Sequence, residues 1–348
     1  MSNQASDMKQ PDDNDLAIAG TLPEHPAEGT RVISDGPRVM TVRDLLRGAL
    51  KHATTPRQKR SCTTGSKRLD IVTGGMRPGI TWVVMGLTSW GKSAWVVSCA
   101  DENLKRGARV LIVSTEDSPE IYGNRLLARR AGIDALHVRD GELDATEQRL
   151  AQEVVARAEA LPVYLDAIGK PAEWILEQLP KLVRAYGIDV VFIDYIQEIW
   201  STSKHEDRRL QLAWIARELR ATMKGLHITG AIMSQITPKQ GEVPTKNDIR
   251  DSKDIVNGAE IVAVGHEPTK QLETKSAGTI EAGTKCLIID KNKDGPKGVV
   301  PLVWDERSAC FRDEPDDSYE GITDIHDRLD DFTDLDAPAP EPEQERCP

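Results

Sequence analysis

Several things are scarce in this sequence, and each absence narrows what the chain can be. No stretch approaches the roughly 18 consecutive apolar residues that a membrane-spanning helix requires. The opening segment, MSNQASDMKQPDDND, has neither the basic nor the apolar region of a secretory signal, so a cytoplasmic setting is expected. The five cysteines (Cys62, Cys99, Cys286, Cys310 and Cys347) are scattered with no C-x-x-C pair, which argues against a zinc site and against a disulfide framework. A surplus of basic charge is also missing, since the net charge is −11. That deficit is local, however. From Asp313 to the end there are 14 acidic residues against 2 arginines, leaving 42 acids and 43 bases before it. The body is near neutral, and the overall acidity does not exclude nucleic-acid binding by a local basic surface.

What is present centres on Ile80 to Val96, ITWVVMGLTSWGKSAWV. Trp82 to Met85 is apolar enough for one buried strand, and it empties directly into GLTSWGKS, a G-x-x-x-x-G-K-[ST] phosphate loop. Glycines at those positions let successive backbone N–H groups turn inward around a phosphate, while the following helix presents its positive end to the same anion. Gly86, Leu87, Thr88, Ser89, Trp90, Gly91, Lys92, Ser93 and Ala94 are therefore the candidate nucleotide-binding residues, with Lys92 on the β/γ-phosphates and Ser93 on Mg²⁺. Trp90 is expected to pack beside the loop rather than stack on a nucleotide.

In chain order, residues 1–40 are rich in Pro, Asp and small polar residues without apolar periodicity, and disorder is expected there. Thr41-Val-Arg-Asp44 reads as a helix start, with Val42, Leu45, Leu46 and Leu50 on one face. This helix and the basic connector after it (41–63) either pack on their own domain or dock on a neighbouring subunit. A helix is expected from Lys92 to Arg106, then a strand at Arg109 to Ser114 that runs into Thr115-Glu116-Asp117. A carboxylate at the carboxyl end of a strand beside the phosphate-loop strand lies where open parallel sheets bind ligands, which places Glu116 to polarise a water aimed at the γ-phosphate. Asp117 reads more simply as a helix cap. Helices are expected at Pro119 to Ala131, Ala145 to Ala160, Pro171 to Tyr186 and Arg208 to Lys224, with a strand at Pro162 to Asp166. Asp189-Val-Val-Phe-Ile-Asp194 has the Walker B form, an apolar strand ending in a carboxylate for the Mg²⁺ shell. Strand Ile228 to Met233 ends in Ser234-Gln235, and Gln235 can hydrogen-bond a γ-phosphate. A polar loop follows with Lys239, Lys246, Arg250, Asp251 and Lys253, and three further strands are expected at Glu260 to Gly265, Lys285 to Asp290 and Gly298 to Trp304.

Taken as an ordered set, TGSKRLDIVTGGMRPG, GLTSWGKS, VLIVSTEDS, VVFIDYIQEI, IARELRATMKGLHITGAIMSQ, DIRDSKDIVNGAEIVAV and KNKDGPKG resemble the ATPase domain of DnaB-type replicative helicases over about Thr64 to Phe311. The resemblance implies an α/β RecA-like P-loop ATPase core, with a mostly parallel sheet flanked by helices and ending in a β-hairpin. It also implies a ring, usually a hexamer, that hydrolyses ATP with Mg²⁺ between subunits while moving 5′→3′ along single-stranded DNA. By matching motifs, Glu116 is the catalytic base, Asp194 the Mg²⁺ carboxylate and Gln235 the γ-phosphate sensor. Lys291 and Lys293 stand at the subunit-bridging site, and Arg250, Lys253, Lys239 and Lys246 grip DNA phosphates in the channel, with Asp251 among the DNA-binding positions beside Arg250. The plainer alternative for Lys239, Lys246, Arg250 and Lys253 is an ordinary solvated loop. No aromatic platform is interleaved with them, so sequence-independent backbone tracking is expected.

Two departures from the family stand out. Only some 40 residues precede Thr41, where the family carries a globular collar domain that engages primase. The family commonly pairs Lys with Arg at the bridging site, whereas this chain has Lys291 and Lys293, point charges in place of a planar fork. An ATP-switched RecA-like binding or loader protein without unwinding activity is the alternative in a different class. The ATPase domain is assigned to 64–312 and the acidic tail to 313–348. In the tail Ile322, Ile325, Leu329, Phe332 and Leu335 recur at near-helical spacing, as expected of a segment that folds on a basic groove, either of a loader, primase or other replication protein or of the ring's own DNA channel as an autoinhibitory DNA mimic; the plainer alternative is a featureless acidic tail.

Overall fold

The computed structural model describes residues 62–312, except 159–162, 239–241, 250–252 and 275. It also describes helical positions at Val42, Arg43, Leu46, Arg47, Leu50 and Thr54. The expected N-terminal disorder and acidic tail lie outside the described residues, as do Lys239, Arg250 and Asp251.

The strands form because short apolar runs sit between turn residues. β1 (Thr81–Gly86), β2 (Val110–Ser114), β3 (Tyr164–Asp166), β4 (Val190–Asp194), β5 (Thr229–Gln235) and β6 (Ile261–His266) pair in parallel. β9 (Cys286–Asn292) and β10 (Gly298–Pro301) add antiparallel pairs at one edge, giving the order β10-β9-β6-β1-β5-β4-β2-β3. Between β6 and β9 lies a small separate hairpin, β7 (Leu272–Thr274) with β8 (Gly278–Ile280).

The inner strands read as continuous apolar runs because both of their faces are covered. Val83, Met85, Leu111, Val113, Val191 and Ile193 point to one face, where α6 (Ala172–Tyr186) and α7 (Arg208–Gly225) supply Ile175, Leu179, Ile215 and Leu219. The alternate residues Trp82, Val84, Val110, Ile112, Val190 and Phe192 point to the other. That second face is covered by α1 (Lys67–Thr73), α2 (Lys92–Lys105) and α3 (Pro119–Ala131). Two further helices, α4 (Ala135–Asp140) and α5 (Ala145–Ala156), pack on α3 around Ala128, Ile133 and Ala151. A capping box between Asp144 and Glu147 starts α5.

The segment before β1 is a stitched entry, not a loose turn. Thr63 and Thr64 are buried, and both hydroxyls donate to the Asp70 carboxylate. Asn103 of α2 bonds Thr63 through both N–H and C=O, so the chain entering the domain is tied to the helix that follows the phosphate loop.

Two expectations are corrected. The strand expected from Gly298 to Trp304 is broken: β10 stops at Pro301, and β11 (Val303–Asp305) leaves the sheet to pair with β12 (Cys310–Arg312). Pro301 has no N–H to donate to a continuing ladder, and the chain turns at Leu302, whose N–H bonds Lys285. The helix expected to reach Ala160 ends at Ala156, capped by Arg157. Among the described residues, no helix is long and apolar enough to cross a membrane.

Candidate active site

The register places the phosphate loop and the acidic strand ends along one edge of the sheet. Gly86 of β1 lies opposite Gln235 of β5, and Asp194 of β4 lies opposite Ser114 of β2. This is the crevice beyond the carboxyl ends of a parallel sheet where ligands bind.

The loop runs from Gly86 to Gly91 and opens α2 at Lys92. Gly91 has φ of +110°, a conformation that strains any residue with a Cβ. Lys92 Nζ donates to the carbonyls of Gly86 and Leu87, each at 3.1 Å, and the side chain is buried. Burial pushes its pKa down from the ordinary value, while the charges of Asp194 and Glu116 oppose that shift. A buried ammonium held by neutral carbonyls is a group that gains from an incoming anion.

Asp194 is 3% exposed. Burial raises its pKa, and hydrogen bonds from Tyr122 and Ser93 and the charge of Lys92 pull it back. The Tyr122 hydroxyl donates to Asp194 Oδ2 at 2.7 Å. The backbone around Asp194 is held by Thr115, whose Oγ1 donates to the carbonyl of Tyr195 at 2.8 Å and accepts from the Tyr195 N–H at 2.9 Å. The residue after that anchor is Glu116, which is exposed at the mouth of the crevice. Its pKa is raised, first by desolvation and then by Asp117, Glu198 and Asp194, with Lys92 opposing.

Gln235 is tied to the segment after Asp194. Its N–H donates to Gln197 Oε1 at 3.2 Å, and Gln197 Nε2 donates to Ser234 Oγ at 2.8 Å. The structure therefore brings Lys92, Ser93, Glu116, Asp194 and Gln235 to one edge. Sequence reasoning assigned no role to Tyr122, Thr115 or Gln197. The Asp-Tyr-apolar-Gln run was the signal available for Gln197; nothing local marks Tyr122.

Lys291 and Lys293 are not brought to this edge within the chain. β9 runs antiparallel to β6, pairing Lys291 with Val262 and Asn292 with Ile261, and Ile261 in turn pairs with Trp82 at the start of β1. Four residues of strand, roughly 13 Å, separate Trp82 from Gly86. Lys291 Nζ donates to the Asn257 carbonyl at 2.8 Å, and Lys293 Nζ lies 3.4 Å from Glu260 Oε1. Of the loop charges, Lys246 is committed to Asp290, by its backbone N–H at 2.6 Å and by Nζ at 3.1 Å. Lys253 stands exposed before the short helix α8 (Asp254–Asn257).

Comparison with known proteins places the chain in a family. Residues 61–313 match the family described as DnaB-like helicase C terminal domain. The chain is 28% identical over 249 residues to the replicative DNA helicase DnaC of Bacillus subtilis (strain 168), covering 69% of this chain and 54% of that protein. It is 26% identical over 258 residues to the replicative DNA helicase DnaB of Leifsonia xyli subsp. xyli, covering 72% and 55%. The chain thus spans about half the length of the curated relatives it matches. Among solved structures, an ATPase domain superposes with a TM-score of 0.68 at 20% identity, covering 78% of this chain and 98% of that one. A DnaB-like replicative helicase solved with regard to its interactions with primase gives 0.66 at 19% identity, covering 80% and 68%. At these identities the superpositions bear on the fold alone.

Proposed function

We propose a helicase motor for this chain, which belongs to the DnaB-like helicase C-terminal domain family: an ATP hydrolase of a replicative DNA helicase that moves along single-stranded DNA and separates duplex strands. The observation that carries the reading is the line of Lys92, Asp194, Glu116 and Gln235 at the carboxyl ends of β1, β4, β2 and β5. Lys92 and the backbone of residues 86–94 bind the ATP phosphates. Glu116 accepts a proton from the attacking water, and its raised pKa suits that task. Gln235 contacts the γ-phosphate and passes its presence through Gln197 to the segment after Asp194.

Ser93 and Asp194 fit a Mg²⁺ ion. The carboxylate is buried, and its charge is met by two hydroxyls and a lysine, so a divalent cation would stabilise the ionised form. Bound there, the ion would neutralise charge on the phosphates.

Lys291 and Lys293 act on the nucleotide of an adjoining subunit, because their own strand carries them to the far end of the sheet. This implies a ring, a hexamer by family resemblance, with 5′→3′ polarity on the same ground. The exposure of Val42, Leu46 and Leu50, at 72%, 65% and 65%, supports docking of their helix on a neighbour. Lys253 and Lys246, with Lys239, Arg250 and Asp251 of the same stretch of sequence, form the single-stranded DNA site, and a primase or loader engages the N-terminal segment or the acidic tail.

A strand-displacement assay on forked DNA tests the reading. ATP-dependent displacement that is lost in Lys92→Ala is expected. ATP turnover stimulated by single strands without displacement would overturn it in favour of an ATP-switched loader or binding protein.

A further inference from the structure

The phosphate loop is held from behind by three aromatic rings, two of which belong to the C-terminal hairpin. Trp90 occupies the apex of the loop and is 3% exposed. Its ring lies against Gly265 so closely that a Cβ there would meet Trp90 Cδ2 at 2.4 Å. Its indole N–H donates to the His266 carbonyl at 3.2 Å. On its other side Phe311 of β12 packs at 5.2 Å between ring centroids, and Trp304 of β11 packs edge-on to Phe311 at 5.0 Å. Trp304 and Phe311 are directly opposed across the β11–β12 ladder, so the hairpin presents them as one unit. The same two rings lie 3.4 and 3.5 Å from where a Cβ of Gly91 would stand, which is the residue whose φ of +110° turns the loop into α2.

The hairpin is in turn fixed to the elements that carry the site. Phe311 N–H donates to Ser98 Oγ at 2.9 Å on α2, its carbonyl accepts from Arg129 of α3, and Lys285 lies over the Trp304 ring. Arg129 is itself locked by Asp101 and Glu102. None of these side chains lies in the crevice with Glu116 and Asp194, yet together they enclose Trp90–Gly91, the backbone that must turn its N–H groups onto a phosphate.

We propose that Phe311, backed by Trp304, is a positioning residue for ATP binding: the hairpin sets the conformation of the phosphate loop through Trp90 and Gly91. This rests on the reading of the loop as a nucleotide site. Phe311→Ala removes the ring between two others, so the loop loses its fixed backing while Lys92, Glu116 and Asp194 stay intact. ATP affinity and KM should weaken about tenfold, equivalent to about 1.4 kcal/mol, while kcat at saturation changes less than about twofold, since uniform binding is what the substitution removes. Phe311→Tyr, which keeps the ring, should restore affinity.

The test is equilibrium binding of a fluorescent ATP analogue by the full chain, at a temperature where circular dichroism shows each variant folded. Intrinsic tryptophan emission on ATP addition is recorded alongside, with Trp90→Phe as the reference that isolates the Trp90 contribution. The expected result is weaker binding and loss of the Trp90 response in Phe311→Ala, with both recovered in Phe311→Tyr. Wild-type affinity in folded Phe311→Ala would overturn the proposal. So would equal loss in Phe311→Ala and Phe311→Tyr, or a fall in kcat without change in affinity. A wild-type chain that binds no ATP would instead count against the nucleotide site itself, and the two failures are therefore distinguishable.

Discussion

Tyr122→Phe removes one oxygen, a hydroxyl that meets the Asp194 carboxylate and also hydrogen-bonds Ser114. The hydroxyl donates to Asp194 Oδ2 at 2.7 Å, and the two residues are 5% and 3% exposed, so water does not replace the bond once it is removed. A hydrogen bond to an ionised acceptor contributes about 1.5–3 kcal/mol, against about 0.5–1.5 for a neutral pair. Asp194 keeps the Ser93 hydroxyl and the Lys92 charge, which sets the expected loss at about 2 kcal/mol. For a domain of this size that is roughly 4–8 °C in Tm. The sign of the pH dependence follows from burial. Asp194 has its folded pKa raised above the ordinary 3.8, and Tyr122 is one of the groups holding it down, so the variant raises it further. A carboxylate with a raised folded pKa costs stability while ionised and returns that stability as pH falls through the folded value. The penalty of Tyr122→Phe is therefore full near neutral pH and shrinks toward the neutral-pair figure as Asp194 becomes protonated. Urea denaturation without nucleotide, for wild type, Tyr122→Phe, Asp194→Asn and the double variant, measures it. The hydroxyl should matter less in the Asp194→Asn background by about 1 kcal/mol. Equal cost in both backgrounds would refute the claim that Tyr122 holds a charged carboxylate.

Glu116→Gln should retain ATP binding and lose turnover by about 10²–10⁴-fold, and because its pKa is raised, the acid limb of the wild-type kcat profile should lie above the ordinary 4.5; unchanged steady-state turnover in the variant would remove Glu116 from the mechanism. Mixing inactive Lys291→Ala/Lys293→Ala chains with inactive Glu116→Gln chains should restore some ATPase activity, since a mixed interface joins an intact base to intact lysines. Mixed assemblies without any recovery would place the lysines' action within their own chain. Arg250→Ala and Lys253→Ala should each weaken single-strand binding evenly across sequences and lower the log–log salt slope by about 0.7 for each phosphate no longer neutralised; an unaltered slope would return those charges to an ordinary solvated loop.

The central strands and the phosphate loop were legible because each is specified by contiguous residues. β4 reads as a strand from Val-Val-Phe-Ile alone, since both of its faces are buried and no position had to be polar. The loop reads from two glycines and a lysine at fixed spacing. What escaped the sequence is held together by bonds between distant positions. Tyr122 meets Asp194 across 72 residues, and Phe311 meets Ser98 across 213, with no periodicity to announce either pairing. The break at Leu302 escaped because Val299 to Trp304 is apolar enough for one strand and the weight of Pro301 within it was passed over; the packing of Trp304 and Phe311 on Gly91 rewards sending the chain off the sheet there. Lys291 and Lys293 show a different limit. Only the resemblance to the family set them at a subunit-bridging site, and where the fold carries them depends on strand direction. The antiparallel pairing of β9 with β6 carries them away from their own phosphate loop, which is why the mixing experiment, and not the position in the chain, decides whose nucleotide they serve.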